Sequence, residues 1–168
     1  MNEGATAALI SCSDAGKVTG AINDAVARGV PVMTFDSDAP GSKRFAFYGA
    51  DDSALGELLV KELVGLAGEK GKIAVLAGSP DAPNLIRRAE GVRRAAARYP
   101  GLQVVETAHH RETPQDAVAE VLRVNAAHPD LAGWAMVGGW PLFRSSQTPR
   151  LMEEIQRRDL KVVAVDAL

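Results

Sequence analysis

Apolar and β-branched runs at residues 5–11, 30–36, 45–49, 72–77, 102–107, 131–137 and 161–166 alternate with stretches of helical periodicity. The run at 30–36 reads VPVMTFD, a buried parallel strand whose carboxyl tip carries Asp36 into a small polar loop. Between the runs, Val18, Ile22, Ala25 and Val26 share one helical face, as do Leu55, Leu58, Leu59, Leu63, Val64 and Leu66. Val118, Val121, Leu122 and Ala126 repeat the pattern, and further helices are predicted over 84–99 and 149–158.

Residues suited to starting or stopping helices stand at the boundaries. Asp14 or a neighbouring serine, Asp51 with Asp52, and Thr113 before Pro114 suit helix starts, while Gly29 and Pro100-Gly101 suit stops. Strict alternation of strand and helix predicts an α/β fold with parallel sheets flanked by helices. The first run lacks a preceding element and the last lacks a covering helix, which leads us to expect a fragment.

In such sheets ligands bind beyond the carboxyl ends of strands. Asp36 therefore stands where a binding group belongs, and VVAVD at 162–166 repeats the phrase with Asp166. The two carboxylates are expected to face one small polar ligand from two lobes. The loop Gly78-Ser79-Pro80-Asp81-Ala82-Pro83-Asn84 lies between a strand and a helix but has neither G-x-G-x-x-G nor a P-loop ending. It reads as a polar wall of the cleft, with Asn84 lining it. Trp134, inside LAGWAMV, belongs to the core; Trp140, after Gly138-Gly139, is either a cleft wall or local packing.

Composition adds mainly exclusions. A net charge of −2 over 168 residues gives no footprint for nucleic acid, and the arginines at 87, 88, 93 and 94 fit a solvated helix face. Cys12 is the only cysteine, so no internal disulfide or cysteine-based zinc site is expected. Asp36, Asp38, Asp51 and Asp52 lack calcium-loop spacing, and the two last are explained as helix caps. The adjacent His109 and His110 are expected at the surface, and no metal or cofactor is expected. Ser11, Ser13, Ser79 and Ser145 lie in no nucleophile motif, so no catalytic residue is assigned. No run approaches the ~18 apolar residues of a membrane helix.

The ordered phrases AVARGVPVMTFD at 25–36, YGADD at 48–52, GKIAVL at 71–76, RAEGV at 88–92, AHPD at 127–130 and VVAVD at 162–166 carry a resemblance. The chain resembles the central part of type I periplasmic sugar-binding proteins, the ribose/galactose-type solute receptors of ABC transporters. The resemblance implies two α/β lobes with sugar bound between them, residues 1–49 forming part of the N-terminal lobe and 50–168 part of the C-terminal lobe. It implies ligand contacts from Asp36, Arg88 and Asp166, with Ser37, Asn84 and Trp140 lining the cleft. It also implies a transporter permease as partner and a periplasmic or extracellular location, with upstream and downstream segments missing.

Two positions depart from the family pattern. Ser37 stands where an arginine is common, and Gly138-Gly139 where Asn-Asp is common. The ligand-sensing core of a lactose-repressor-type regulator shares the fold, and an α/β enzyme acting on sugars is a further alternative. The resembling family itself performs no chemistry.

Overall fold

The computed structural model describes residues 4–143 and 145–166. Met1–Glu3, part of the segment searched for an export leader, lie outside them. The described chain runs β1 (Ala8–Ile10), α1 (Ala15–Ala27), β2 (Val32–Phe35), β3 (Ala46–Tyr48), α2 (Asp52–Ala67), β4 (Lys70–Leu76), α3 (Pro83–Ala96), β5 (Gly101–Ala108), α4 (Pro114–Ala127), β6 (Leu131–Met136), a 3-10 turn (Trp140–Leu142), α5 (Thr148–Arg157) and β7 (Lys161–Ala164). All seven predicted strands form, most of them shortened at their ends, and every pairing is parallel.

The strands divide into two sheets. One is ordered β1-β2-β3, the other β5-β4-β6-β7. In the second sheet the order reverses between β4 and β6. The chain passes from β4 through α3 to one neighbour, then returns through α4 to the other. Such a reversal opens a crevice at the carboxyl tips of the two central strands. Both faces of this sheet are covered, so its central strands carry unbroken apolar runs, Ile73–Leu76 in β4 and Trp134–Met136 in β6. Ile73 and Val75 face the core shared with α2 and α3, and Ala74 and Leu76 face the core of α4 and α5.

The sequence explains the element ends. Asp14 accepts from the Lys17 backbone N–H at 3.0 Å, Asp51 from Ala54 at 3.0 Å, and Thr113 from Asp116 at 3.2 Å, each with its side chain. Gly29, at φ 83°, ends the first helical stretch in the left-handed region that glycine tolerates.

The first sheet departs from the expectation of a fully buried strand. Val32 and Thr34 of β2 are buried, and Val32 packs with Ile22 and Ala25 of α1. Phe35, with Leu9, Phe45 and Tyr48, is exposed. β2 therefore alternates, because in the described residues only one helix packs on its sheet. Few buried contacts mean low local opening free energy. Backbone amides of β1–β3 are expected to exchange with solvent faster than those of β4 and β6, as peptide-resolved deuterium exchange would show. Equal protection in both sheets would contradict this reading.

Candidate functional site

The site is built where the tips of the two sheets meet. Asp36 directly follows β2, adopts a left-handed φ of 56° and donates its backbone N–H to the Tyr48 carbonyl at 3.0 Å. Asp166, two residues past β7, shares this conformation with φ 63°. The repeated sequence phrase is thus also a repeated backbone geometry, one that aspartate tolerates better than most residues.

Asp36 reaches across to α3. Its carboxylate accepts from the Ser11 hydroxyl at 3.2 Å and from Asn84 Nδ2 at 3.3 Å to each oxygen. Arg88 Nη2 stands 3.8 Å from Asp36 Oδ1, an ion pair too long to be a hydrogen bond. Asn84 is fixed by its own helix start, where its Oδ1 accepts from the Leu85 backbone N–H at 2.9 Å. Pro83 opens α3 and orients that turn.

Arg88 is the most constrained of these groups. It is 7% exposed, donates from Nε to Asp52 Oδ1 at 2.9 Å and from Nη1 to the Val137 carbonyl at 3.1 Å. Asp52 corrects the sequence expectation. Asp51 caps α2 as predicted, but Asp52 is 2% exposed and binds Arg88 and Arg87, the latter at 2.9 Å. Its carboxylate positions an arginine rather than a helix end.

A cavity of about 250 Å³ lies among these groups and is lined by Asp36, Ser37, Asn84, Arg88, Trp140 and Asp166. All six residues singled out from the sequence are thereby brought together. Ser11, Ser13 and Glu112 line it too. Sequence reading weighed the two serines only as helix starts or nucleophiles and did not weigh Glu112. The available signal was position, since each follows the tip of β1 or β5.

Two of the six differ from simple expectation. Ser37 is buried, and its hydroxyl donates to the Cys12 carbonyl at 2.8 Å, tying the β1 and β2 tips together. The neighbouring Asp38 is likewise engaged, by Thr34 at 2.6 Å and by Arg44. Burial pushes the Asp38 carboxyl up, but the Arg44 and Thr34 hydrogen bonds outweigh it and hold it below the usual carboxylate range. Trp140 serves both roles left open for it, lining the cavity while packing against both cores of the second sheet.

The glycine pair before it has a steric reason. A Cβ on Gly138 would lie 2.5 Å from the Trp140 ring, and one on Gly139 2.7 Å from the Asp166 carbonyl oxygen. Trp140 also approaches Gly78, where a Cβ would meet its ring at 2.9 Å. The ring thus occupies space that side chains at 78 and 138 would need.

The histidine expectation is half corrected. His109 is exposed, but His110 is buried and packs edge-on against Trp140 with ring centroids 4.8 Å apart. Among the described residues no group of three or more His, Cys, Asp or Glu is arranged to hold a metal ion. No described helix is long and apolar enough to cross a membrane. A larger groove of about 700 Å³ between α4 and α5 includes Pro129, before β6, and so lies toward the opposite end of the sheet from the strand tips. Its Glu154 is paired with Arg157 and Arg158.

Comparison with known proteins agrees with this fold. The ribose import binding protein RbsB of Bacillus subtilis (strain 168) is 31% identical over 133 residues, covering 78% of this chain and 42% of that protein. An ABC transporter solute binding protein from Burkholderia graminis C4D1M, solved in complex with D-arabinose, is 26% identical with a TM-score of 0.83. The match covers 96% of this chain and 56% of that one. A solute binding protein from Agrobacterium vitis, bound with alpha-D-tagatopyranose, is 25% identical with a TM-score of 0.83, over 96% and 57% of the respective chains. The chain thus spans about half the length of these relatives and shares the type I periplasmic-binding-protein fold. The family model of the periplasmic binding protein domain matches residues 1–168, and the chain belongs to that family.

Proposed function

We propose that this chain contributes to the sugar site of a solute receptor for an ABC-type importer, binding a sugar or sugar-like polyol without chemical turnover. The observation that carries the reading is the cavity of about 250 Å³ at the strand tips, into which both sheets bring charged and amide groups. Sugar hydroxyls donate and accept, and each one buried without a partner costs about 1–3 kcal/mol. Carboxylates at Asp36 and Asp166 accept from hydroxyls, and Arg88 Nη2 donates. Ionised partners make such bonds shorter and stronger than neutral ones. The Trp140 ring offers an apolar surface to the C–H face of a sugar.

The two sheets are read as parts of two lobes, residues 1–49 and 50–168, with the cleft between them. A ligand touching Asp36 on one side and Arg88 and Asp166 on the other favours the arrangement in which the tips approach. The ligands named for the Burkholderia and Agrobacterium proteins are monosaccharides, which supports a ligand of that class. A permease partner and a periplasmic or extracellular site of action follow from the same reading.

Titration calorimetry of the purified protein against a pentose and hexose panel tests this. Asp36→Ala should weaken the best ligand by about a hundredfold, as expected for losing one or two charge-assisted hydrogen bonds. Asp36→Asn, which keeps the shape and one acceptor, should fall between. Undiminished affinity in Asp36→Ala would remove Asp36 from the site, and a panel with no binder would remove the sugar reading.

A further inference from the structure

Behind the cavity wall, His110 is 9% exposed and joins two of the wall's residues. Its Nδ1 accepts the Glu112 backbone N–H at 2.9 Å, and its ring packs edge-on against Trp140. An Nδ1 that accepts requires the neutral ring to carry its proton on Nε2, and that atom is buried with no partner among the described residues. A buried orphan donor weakens the native state and calls for a reason.

The geometry around it supplies one. Glu112 has a left-handed φ of 61°, which a residue with a long side chain rarely adopts. Its side chain lines the cavity and accepts the Ser79 backbone N–H at 3.1 Å, while the His110 backbone N–H donates to the Gly78 carbonyl at 3.3 Å. The loops after β4 and β5 are therefore joined by the Glu112 carboxylate and the His110 backbone, and the imidazole fixes the Glu112 backbone that aims that carboxylate.

Building on the sugar-binding reading, we propose that His110 is a positioning residue whose neutral ring holds Glu112 and Trp140 in place, so that ligand is released on acidification. A proton entering at Nδ1 turns the acceptor into a donor facing the Glu112 N–H. That hydrogen bond is lost, and Glu112 relaxes from its left-handed conformation. The carboxylate then leaves the cavity wall and the Ser79 N–H.

Burial pushes the His110 pKa below its ordinary value, and His109 adds to this, against the opposing pull of Asp116 and Glu120 on α4. Asp116 is also paired with Arg111 at 2.7 Å. Trp140, which faces the ring from another element, carries no charge. Because the folded-state value is depressed, the contribution of neutral His110 is complete above the ordinary histidine value. It is lost as pH falls through the depressed one.

The test is the affinity of the best panel sugar between about pH 7.5 and pH 4.5, with circular dichroism confirming that the protein stays folded. Wild type should weaken by about tenfold more over this range than His110→Asn, whose side-chain oxygen replaces the Nδ1 acceptor but does not titrate. Carboxylate titration is common to both and cancels. By NMR, adding sugar should lower the titration midpoint of the wild-type His110 ring, since coupling between two sites is reciprocal. Identical pH profiles for wild type and His110→Asn, or an unmoved midpoint at saturation, would overturn the proposal while leaving sugar binding intact. Absence of binding at every pH would instead remove the underlying function.

Discussion

Replacing Arg88 with alanine is expected to lower the unfolding free energy by about 3–5 kcal/mol and to abolish sugar binding. The stability loss comes from what the substitution leaves behind. Asp52 has a side chain 0% exposed, and Arg88 supplies its most deeply buried counter-charge. Arg87 remains, but its side chain is 36% exposed and cannot bury over the vacated space without losing its own hydration. The Val137 carbonyl would lose its Nη1 donor as well. Equilibrium urea unfolding measures the loss, and the midpoint should fall with little change in slope.

The double variant Arg88→Ala/Asp52→Ala separates the charge from the packing. It should be more stable than Arg88→Ala alone, because no unpaired carboxylate stays buried. Arg88→Lys should bind weakly if at all, since an ammonium cannot reach Asp52, Val137 and the cavity together as the guanidinium fork does. A double variant no more stable than the single one would show that Asp52 and Arg88 are not coupled.

The same residues show what the sequence could and could not reveal. The elements were legible because their cores are local patterns: apolar runs for the two-sided sheet, and spaced leucines and valines for the helices. Asp36 and Asp166 were legible because a carboxylate ending an apolar strand has few structural reasons to be there. Asp52 was not, since Asp51 and Asp52 are equivalent on paper at a helix start. Only a partner 36 positions away, Arg88, distinguishes them.

Glu112 was hidden by its backbone conformation, which no residue type in that stretch announces. The histidine pair reads on paper as two surface residues, and burial of one ring depends on Trp140, which belongs to another loop. The departure at Gly138-Gly139 has its reason in the Trp140 indole against Gly138 and the Asp166 carbonyl against Gly139. For Asp52 and His110 the missing information is a long-range contact, to which spacing along the chain is blind.

Glycine substitutions in α2 and α3 should produce opposite signs of effect within one helix. Gly56 and Gly91 sit where α2 and α3 cross. A Cβ on Gly56 would lie 2.0 Å from the Arg88 carbonyl oxygen, and one on Gly91 2.4 Å from that of Ser53. These neighbours are backbone, so neither clash can be relieved by a rotamer change. Alanine in a helix interior is worth about 1 kcal/mol over glycine, whereas overpacking costs about 1–3 kcal/mol and sometimes more. With contacts this short the clash wins, and Gly56→Ala and Gly91→Ala should each destabilise by about 2 kcal/mol net.

Gly65 provides the internal control. It lies in α2, is exposed, and a Cβ there meets nothing within 4 Å. Gly65→Ala should therefore stabilise by up to about 1 kcal/mol. Urea unfolding of the three variants reads the signs directly, and a stabilised Gly91→Ala would show that the helices can separate without cost. The crossing also fixes the site, because α3 carries both Asn84 and Arg88. Pushing α3 away from α2 draws Arg88 from Asp52, so Gly56→Ala and Gly91→Ala should lose sugar affinity while Gly65→Ala retains it. The close helix contact is then a condition for the binding geometry, and destabilised variants that bind sugar as wild type does would refute that link.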